Sequence, residues 1–387
     1  MTVKFGEKLK IELYGSSHGP CVGVRIEGLP AGRIIDAQRL QEFLDRRAPG
    51  RNAWSTPRKE ADRPVFISGV EQEAAMQSLS EQSDQPEQSD RLDLPPQILR
   101  TNGEILVAEI RNTNTRPQDY KDSSVVPRPA HADYPAWVKY GRIASGGGQF
   151  SARLTAALCI AGGILKQWME DRGIFVRAHI ASIGPVKDRS FEEAKGGFAI
   201  DPEFPVIDHQ RGEEMKKLIA EVKEAGDSIG GSVECMVCGV PAGAGQPLFG
   251  SIESRICQSV FCVPAVKGIE FGAGFEVTSM RGSENNDPYC VRTDESTGSR
   301  IVVTETNHHG GILGGLSSGM PILFRTAMKP TPSIAMEQRS VDLVTMEDVT
   351  LQIKGRHDPC IVPRAVPCIE AAAAVAIGDI LLEEGSL

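Results

Sequence analysis

No stretch of the 387 residues approaches the ~20 consecutive apolar positions that a membrane-spanning helix needs. The longest apolar runs, near 154–165 and 369–377, have the length of buried helices. The first ten residues, MTVKFGEKLK, contain no apolar signal core, so export is not expected. A paired cysteine framework is also missing. The nine cysteines are odd in number and irregularly spaced, which fits reduced thiols in a cytoplasm. Cys235 and Cys238 form a CxxC, but within SVECMVCGV, which reads as a strand, so they face opposite sides. No second CxxC and no HExxH accompanies them, and no metal is expected. A positive balance is absent as well: the net charge of -9 argues against a nucleic-acid partner. What remains is a globular chain, 40% apolar with a mean hydropathy of -0.20.

The charge is unevenly spread. Residues 71–98 carry seven acids against Arg91 alone, while residues 111–153 carry seven bases against three acids. An acidic protein that clusters its arginines is expected to use them on a small anion. KIELYG and VGVRIEG read as opening strands, and DAQRLQEFLDRR (36–47) as a helix capped by Asp36. VFISGV and ILVAEIRNT read as further strands. Between them, 72–98 is a Gln/Ser/Glu/Asp-rich segment expected to be an exposed, mobile, dispensable insertion. A later amphipathic helix places Met215, Leu218, Ile219 and Val222 on one face and ends at Gly226. With no repeat and no linker, one α+β domain over 1–387 is the simplest organisation.

Five stretches set polar residues beside glycine or proline in ways a core does not require. YGSSHGP holds His18 between glycines, where the backbone can approach a ligand closely. RPAHADY places Arg128 three residues from His131, an anion holder beside a group able to protonate a leaving group. SGGGQFSARL leads three glycines into an apolar helix, with Ser151 and Arg153 as added donors for an anion at its start. NHHGGILGGLSSGMPILFRTAMKPTPSI combines a glycine-rich turn with Lys329, Thr331 and Ser333 between prolines, suited to a phosphate. GRHDPCIVPRAVP (355–367) lines up Arg356, His357 and Asp358 on what the prolines predict to be an extended segment, with a helix following from Ile369.

Taken together and in order, these stretches resemble the chorismate synthase family. The matching motifs include SHG (17–19), DRR.PG (45–50), RP.HADY (128–134), GGG..SAR (146–153), GDSIGG (226–231), AVKG.E.G.GF (265–275), GGILGG (310–315), KPT.SI (329–334) and GRHDPC..PRAVP (355–367). The resemblance implies a β-α-β sandwich, with helices packed between antiparallel sheets, assembled as a homotetramer. It implies the elimination of phosphate and a ring hydrogen from opposite faces of 5-enolpyruvylshikimate 3-phosphate to give chorismate. Reduced FMN is required without net redox change. By the same resemblance His18 protonates the reduced flavin, His131 assists departure of the phosphate, and Asp358 relays the proton from flavin N5. Arg47, Arg51, Arg128, Arg153 and Arg356 hold the carboxylates and phosphate of the substrate. Gln149, Phe150, Ser151, Pro264, Ala265, Gly314, Lys329, Pro330, Thr331, Pro332, Ser333 and Arg356 line the FMN site. Whether NAD(P)H reduces the flavin on this chain or an external reductase does so is left open.

The chain also departs from the family pattern. Ser16 stands where the family usually has Glu, Gln149 and Phe150 where it has Arg and Ser, Ala53 where a substrate-side Arg is common, and Pro264 where many members have Asn. These flavin-side changes motivate an alternative expectation, a diverged homologue that binds FMN or a phosphorylated acid without this turnover.

Overall fold

The computed structural model describes residues 4–50, 54, 60–72, 98–113, 125–194, 197–294, 298–353 and 357–387. Two antiparallel sheets enclose a layer of helices, an α+β architecture. The first sheet is ordered Lys10–Gly15, Cys21–Glu27, Leu106–Arg111, Pro64–Ser68. The second is ordered Val266–Phe271, Ile322–Met328, Gly231–Cys238, Phe175–Ile183, Val186–Lys187. Each shows the period of two that one covered face demands. Val22, Val24 and Ile26 are buried while Arg25 and Glu27 are exposed. Val233, Cys235 and Val237 are buried, and Cys238 lies on the opposite, half-open face.

The two apolar runs become the Thr155–Glu170 and Val362–Glu383 helices, which fill the space between the sheets. Being apolar nearly all round, they are stable only where every face is covered. The second is long and apolar enough to cross a membrane by length and composition, and its apolar window is buried inside the protein. Where the helices cross, a Cβ on Gly162 would lie 2.4 Å from Cα of Ala371, so only glycine permits this approach.

The Val362–Glu383 helix starts earlier than the prolines suggest. Pro363 sits in its first turn, where a missing N–H costs nothing, and Pro367 sits inside it. Burial of almost the whole helix outweighs the one intrahelical bond that Pro367 forfeits. VFISGV is likewise not one strand. It breaks at Gly69 (φ +82°) into Pro64–Ser68 and Val70–Gln72, which join different sheets. The Asp36 cap is as expected, its carboxylate accepting from the N–H groups of Gln38 and Arg39. The His209–Glu224 helix buries Met215 and Ile219 and is followed by Gly226 at φ +72°. Most of the acidic 72–98 segment (73–97) lies outside the described residues. The strands that flank it, Val70–Gln72 and Ile98–Thr101, pair antiparallel.

Candidate active site

A cleft of about 510 Å³ opens where the helix layer meets the loops of both sheets. Its lining brings together residues more than 300 positions apart, from His18 to Arg364.

One wall is the triple-glycine loop. Gly146, Gly147 and Gly148 hold φ values of +60°, +84° and +53°, a region that glycine enters without a Cβ penalty. Space is the second constraint. A Cβ on Gly146 would fall 2.0 Å from Cε1 of His18, and one on Gly147 would fall 3.2 Å from Nε2 of His131. Both imidazoles therefore rest on bare backbone. The helix proper begins only at Thr155, after two short 3-10 turns, so the glycines form a platform rather than its first turn.

His18 occupies the hairpin turn between Lys10–Gly15 and Cys21–Glu27. The Ser17 hydroxyl donates to the Gly146 carbonyl at 3.0 Å and lies 3.1 Å from Nδ1 of His18. Its hydrogen is thus committed, and Nδ1 is the donor to Ser17. Asn112 braces the turn by donating to the carbonyls of Ser16 and Gly19, while its own oxygen accepts from Nε of Arg153 at 2.9 Å.

His131 is oriented by a carboxylate two residues along. Oδ1 of Asp133 lies 2.6 Å from Nδ1 of His131. Asp133 also accepts from Nε (2.7 Å) and Nη2 (2.9 Å) of Arg128. Burial alone would raise the Asp133 carboxyl, but the bonds from Arg128 and His131 hold it well below the usual carboxylate range. An ionised carboxylate only accepts, so Nδ1 carries the proton and Nε2 is the nitrogen presented at Gly147.

The arginines expected to meet anions are already engaged with acids. Arg47, 1% exposed, donates from Nε to Asp62 and from Nη1 to Thr155. Arg153 pairs with Asp62 and with Glu60. Asp62 holds φ +47°, unusual for a non-glycine residue. Burial would raise its carboxyl, yet the guanidiniums of Arg47 and Arg153 outweigh burial and keep it lowered. These acids fix the forks in place. Nη2 of Arg47 is buried and has no hydrogen-bond partner among the described residues.

Across the cleft, Lys329 bonds two alanines held in left-handed conformations. Its Nζ donates to the carbonyl of Ala130 (φ +56°) at 2.8 Å, and its N–H to that of Ala265 (φ +75°) at 2.9 Å. Burial, with Lys267 adding to it, pulls the Lys329 ammonium down. Asp358 closes the site. It pairs with Nη1 of Arg364 at 2.6 Å, and Nε of Arg364 donates to the Arg47 carbonyl at 3.1 Å.

Of the residues singled out in the sequence, His18, Arg47, Arg128, His131, Gln149, Phe150, Ser151, Arg153, Pro264, Ala265, Lys329, Thr331, Pro332, Ser333 and Asp358 share this lining. Pro330 is not on it although both its neighbours are. Gly314 lies elsewhere, in the turn between Ile312–Leu313 and Leu316–Ser317. Arg51 and Arg356, like Ala53, fall outside the described residues. Asp62, Glu60, Asp133 and Arg364 had no sequence-based role. Asp133 and Arg364 do sit inside the motifs RP.HADY and GRHDPC..PRAVP, so their spacing from His131 and Asp358 was the available signal.

Comparison with known proteins agrees with this picture. A family model described as chorismate synthase matches residues 9–382. A chorismate synthase from Lancefieldella parvula is 44% identical over 398 aligned positions, covering 98% of this chain and 96% of its own. One from Thermococcus gammatolerans is 41% identical and covers 97% of each chain. A solved structure described as "Crystal Structure of Chorismate Synthase" superposes with a TM-score of 0.66 at 26% identity, over 98% of this chain and 93% of that one. By a match that runs nearly end to end, this chain belongs to the chorismate synthase family.

Proposed function

We propose that the chain is a chorismate synthase, which eliminates phosphate and a ring proton from 5-enolpyruvylshikimate 3-phosphate to give chorismate, the last common step toward the aromatic amino acids. The observation that carries this is the pair of imidazoles, His18 and His131, set against adjacent glycines of one loop in a cleft lined with arginine and lysine.

The lining also fits a flavin. The volume is that of a cofactor site. Phe150, Phe261, Pro264, Ala265, Pro332 and Ile361 offer apolar surface for a planar ring, and Lys329 and Ser333 offer donors for a phosphate. Oγ1 of Thr331 is buried without a hydrogen-bond partner among the described residues, as is Nη2 of Arg47. A buried donor left unmatched costs about 1–3 kcal/mol, so both atoms call for a ligand acceptor. Reduced FMN, when bound, supplies an electron-rich nitrogen next to the reacting carbon.

The residues then divide the work. Arg47, locked by Asp62 and Thr155, keeps Nη2 for an anion without paying to reorganise, while Arg128 and Arg153, each nitrogen already donating to a protein acceptor, add positive charge and their remaining N–H hydrogens. His131, its Nδ1–H committed to Asp133, gives a proton from Nε2 to the departing phosphate oxygen in its doubly protonated form, whose charge the Asp133 carboxylate balances. His18 holds a proton on the same glycine wall, against Gly146. Asp358, oriented by Arg364, accepts the ring proton and passes it out of the cleft. Exposed apolar side chains at Leu248, Phe249, Phe275, Tyr289 and Val302 support assembly into a homotetramer. A cytoplasmic location is part of the same reading.

The test is anaerobic: protein, dithionite-reduced FMN and 5-enolpyruvylshikimate 3-phosphate, following phosphate and chorismate together. Coupled release supports the reading, and Asp358→Asn should fold normally while slowing it at least ~10-fold. FMN binding with release of neither product would instead point to the diverged binder suggested by Gln149 and Phe150.

A further inference from the structure

The glycine-rich stretch that contains Gly314 is not absorbed by the cleft, yet it holds a second ordered set of polar groups. Oδ2 of Asp287 bonds Nδ1 of His309, and Nε2 of His309 lies 3.2 Å from Oγ of Ser318. The three come from separate turns: before Tyr289–Thr293, after Arg300–Thr304, and before Ile322–Met328. None of them lines the cleft.

The geometry assigns a role to each group. The Asp287 side chain is 4% exposed, and it accepts from Oγ1 of Thr306 (2.5 Å) and the N–H groups of His308 (2.9 Å) and His309 (3.0 Å). Burial would raise its carboxyl, but these bonds outweigh burial and lower it, so it accepts and does not donate. His309 must then carry its proton on Nδ1, leaving the lone pair of Nε2 toward the Ser318 hydroxyl. That is the order of a nucleophile, its base and the group that orients the base.

The frame around them is stiff. Gly310 and Gly311 hold φ +66° and +81°, and a Cβ on Gly310 would strike the backbone N of Gly272 at 2.4 Å. Ala273 donates to the His308 carbonyl at 2.8 Å, and Ser318 donates to the Gly311 carbonyl at 2.9 Å. His309 and Ser318 are partly exposed, and Gly319, next to Ser318, is exposed, so Ser318 is open to solvent. The string Gly315–Gly319 reads G-L-S-S-G. Its central serine is not the nucleophile, because Ser317 is 4% exposed and its hydroxyl is spent on the Pro241 carbonyl and the Ala244 N–H.

We propose that Asp287, His309 and Ser318 form a second, independent centre in which Ser318 takes the acyl group of small carboxylic esters. Oγ of Ser318 adds to the ester carbon as Nε2 of His309 accepts its proton, with Asp287 holding the imidazolium. The ester C–O bond breaks, and the alcohol leaves with the proton from Nε2. Water then adds to the acyl-serine by the same route, releasing the carboxylic acid and restoring the hydroxyl. No oxidant, reductant or metal is consumed.

The full chain would be treated with an alkyl fluorophosphonate and the adduct mapped by mass spectrometry, and separately assayed with 4-nitrophenyl acetate. The expected result is one adduct on Ser318 and a matching release of 4-nitrophenolate, both abolished in Ser318→Ala. In His309→Gln both should slow by ~100-fold, the contribution of a positioned base. His309→Gln is preferred to Asp287→Asn because it keeps the backbone bonds that Asp287 accepts, and its melting temperature reports whether the turn survives. No Ser318 adduct on folded protein would overturn the proposal. So would equal labelling rates in wild type and a folded His309→Gln, which is the behaviour of an ordinary exposed hydroxyl.

Discussion

The Asp133 carboxylate serves His131 and Arg128 at once: Oδ1 lies 2.6 Å from Nδ1 of His131, and both oxygens accept from the Arg128 guanidinium. One buried acid thereby holds Nδ1–H of a proton donor and fixes the direction of the Arg128 guanidinium. Asp133→Asn should disturb both. Its neutral amide removes the negative charge that supports the doubly protonated ring, the form with a proton to give from Nε2 while Nδ1–H is bonded, and it leaves Arg128 short of a countercharge. We expect kcat to fall by at least ~100-fold and stability to fall by about 3 kcal/mol, as for a broken buried pair. Turnover measured well below the melting temperature of the variant separates the two effects. Wild-type kcat in the folded variant would remove Asp133 from the positioning role.

Gly146 and Gly141 make a controlled pair. Both have positive φ, +60° and +70°, but a Cβ on Gly146 collides with His18 whereas one on Gly141 meets nothing within 4 Å. Alanine at either position costs about 1–2 kcal/mol of backbone strain. Only Gly146→Ala should also push the His18 ring from its place. Steady-state turnover is expected to drop at least ~10-fold in Gly146→Ala and to stay near wild type in Gly141→Ala. Equal losses in the two would show that backbone strain, and not the His18 contact, governs activity.

Much of the frame was legible because its signals are local. The alternation of Val22, Val24 and Ile26, the Asp36 cap and the two long apolar runs each depend on neighbours a few residues away. Three consecutive glycines marked the loop, read as an anion site at a helix start, but gave no sign that two imidazoles rest on it. Asp62 and Glu60 were opaque for the opposite reason. They sat in a basic loop with no pattern of their own, and their partner Arg153 lies 91 and 93 positions away. The helix start at Val362 was misread because local proline chemistry was weighed without the burial that overrides it. VFISGV failed at Gly69, where a single φ redirects the chain between sheets.

His179 predicts a stability profile in pH. It is fully buried, with Nδ1 3.0 Å from Asp188 and Nε2 2.8 Å from Glu234, so only the doubly protonated ring can donate to both. Burial lowers its tendency to hold the second proton, but the two carboxylates outweigh burial and the net direction is upward. A folded-state value above the unfolded one stabilises fully below the ordinary histidine range, and that stability is lost as pH rises through the raised value. The urea midpoint should therefore decline as pH rises above the ordinary histidine range, and His179→Gln should flatten that decline. A wild-type midpoint constant across this window would contradict a charged His179.

The acidic segment makes the last prediction. Gln72 pairs with Leu99 and Glu71 with Arg100, so the chain leaves and re-enters the sheet on adjacent antiparallel strands. Two strands in that register need only a short turn, typically 2–5 residues. Everything longer between them adds loop entropy, about 0.6 kcal/mol for each doubling of length. Replacing 74–97 by a four-residue Asn-Gly-type turn should thus leave the fold and chorismate formation intact and raise the melting temperature slightly. Lost turnover in a folded deletion variant would show that the segment reaches the site, and failure to fold would show that it carries packing contacts of its own.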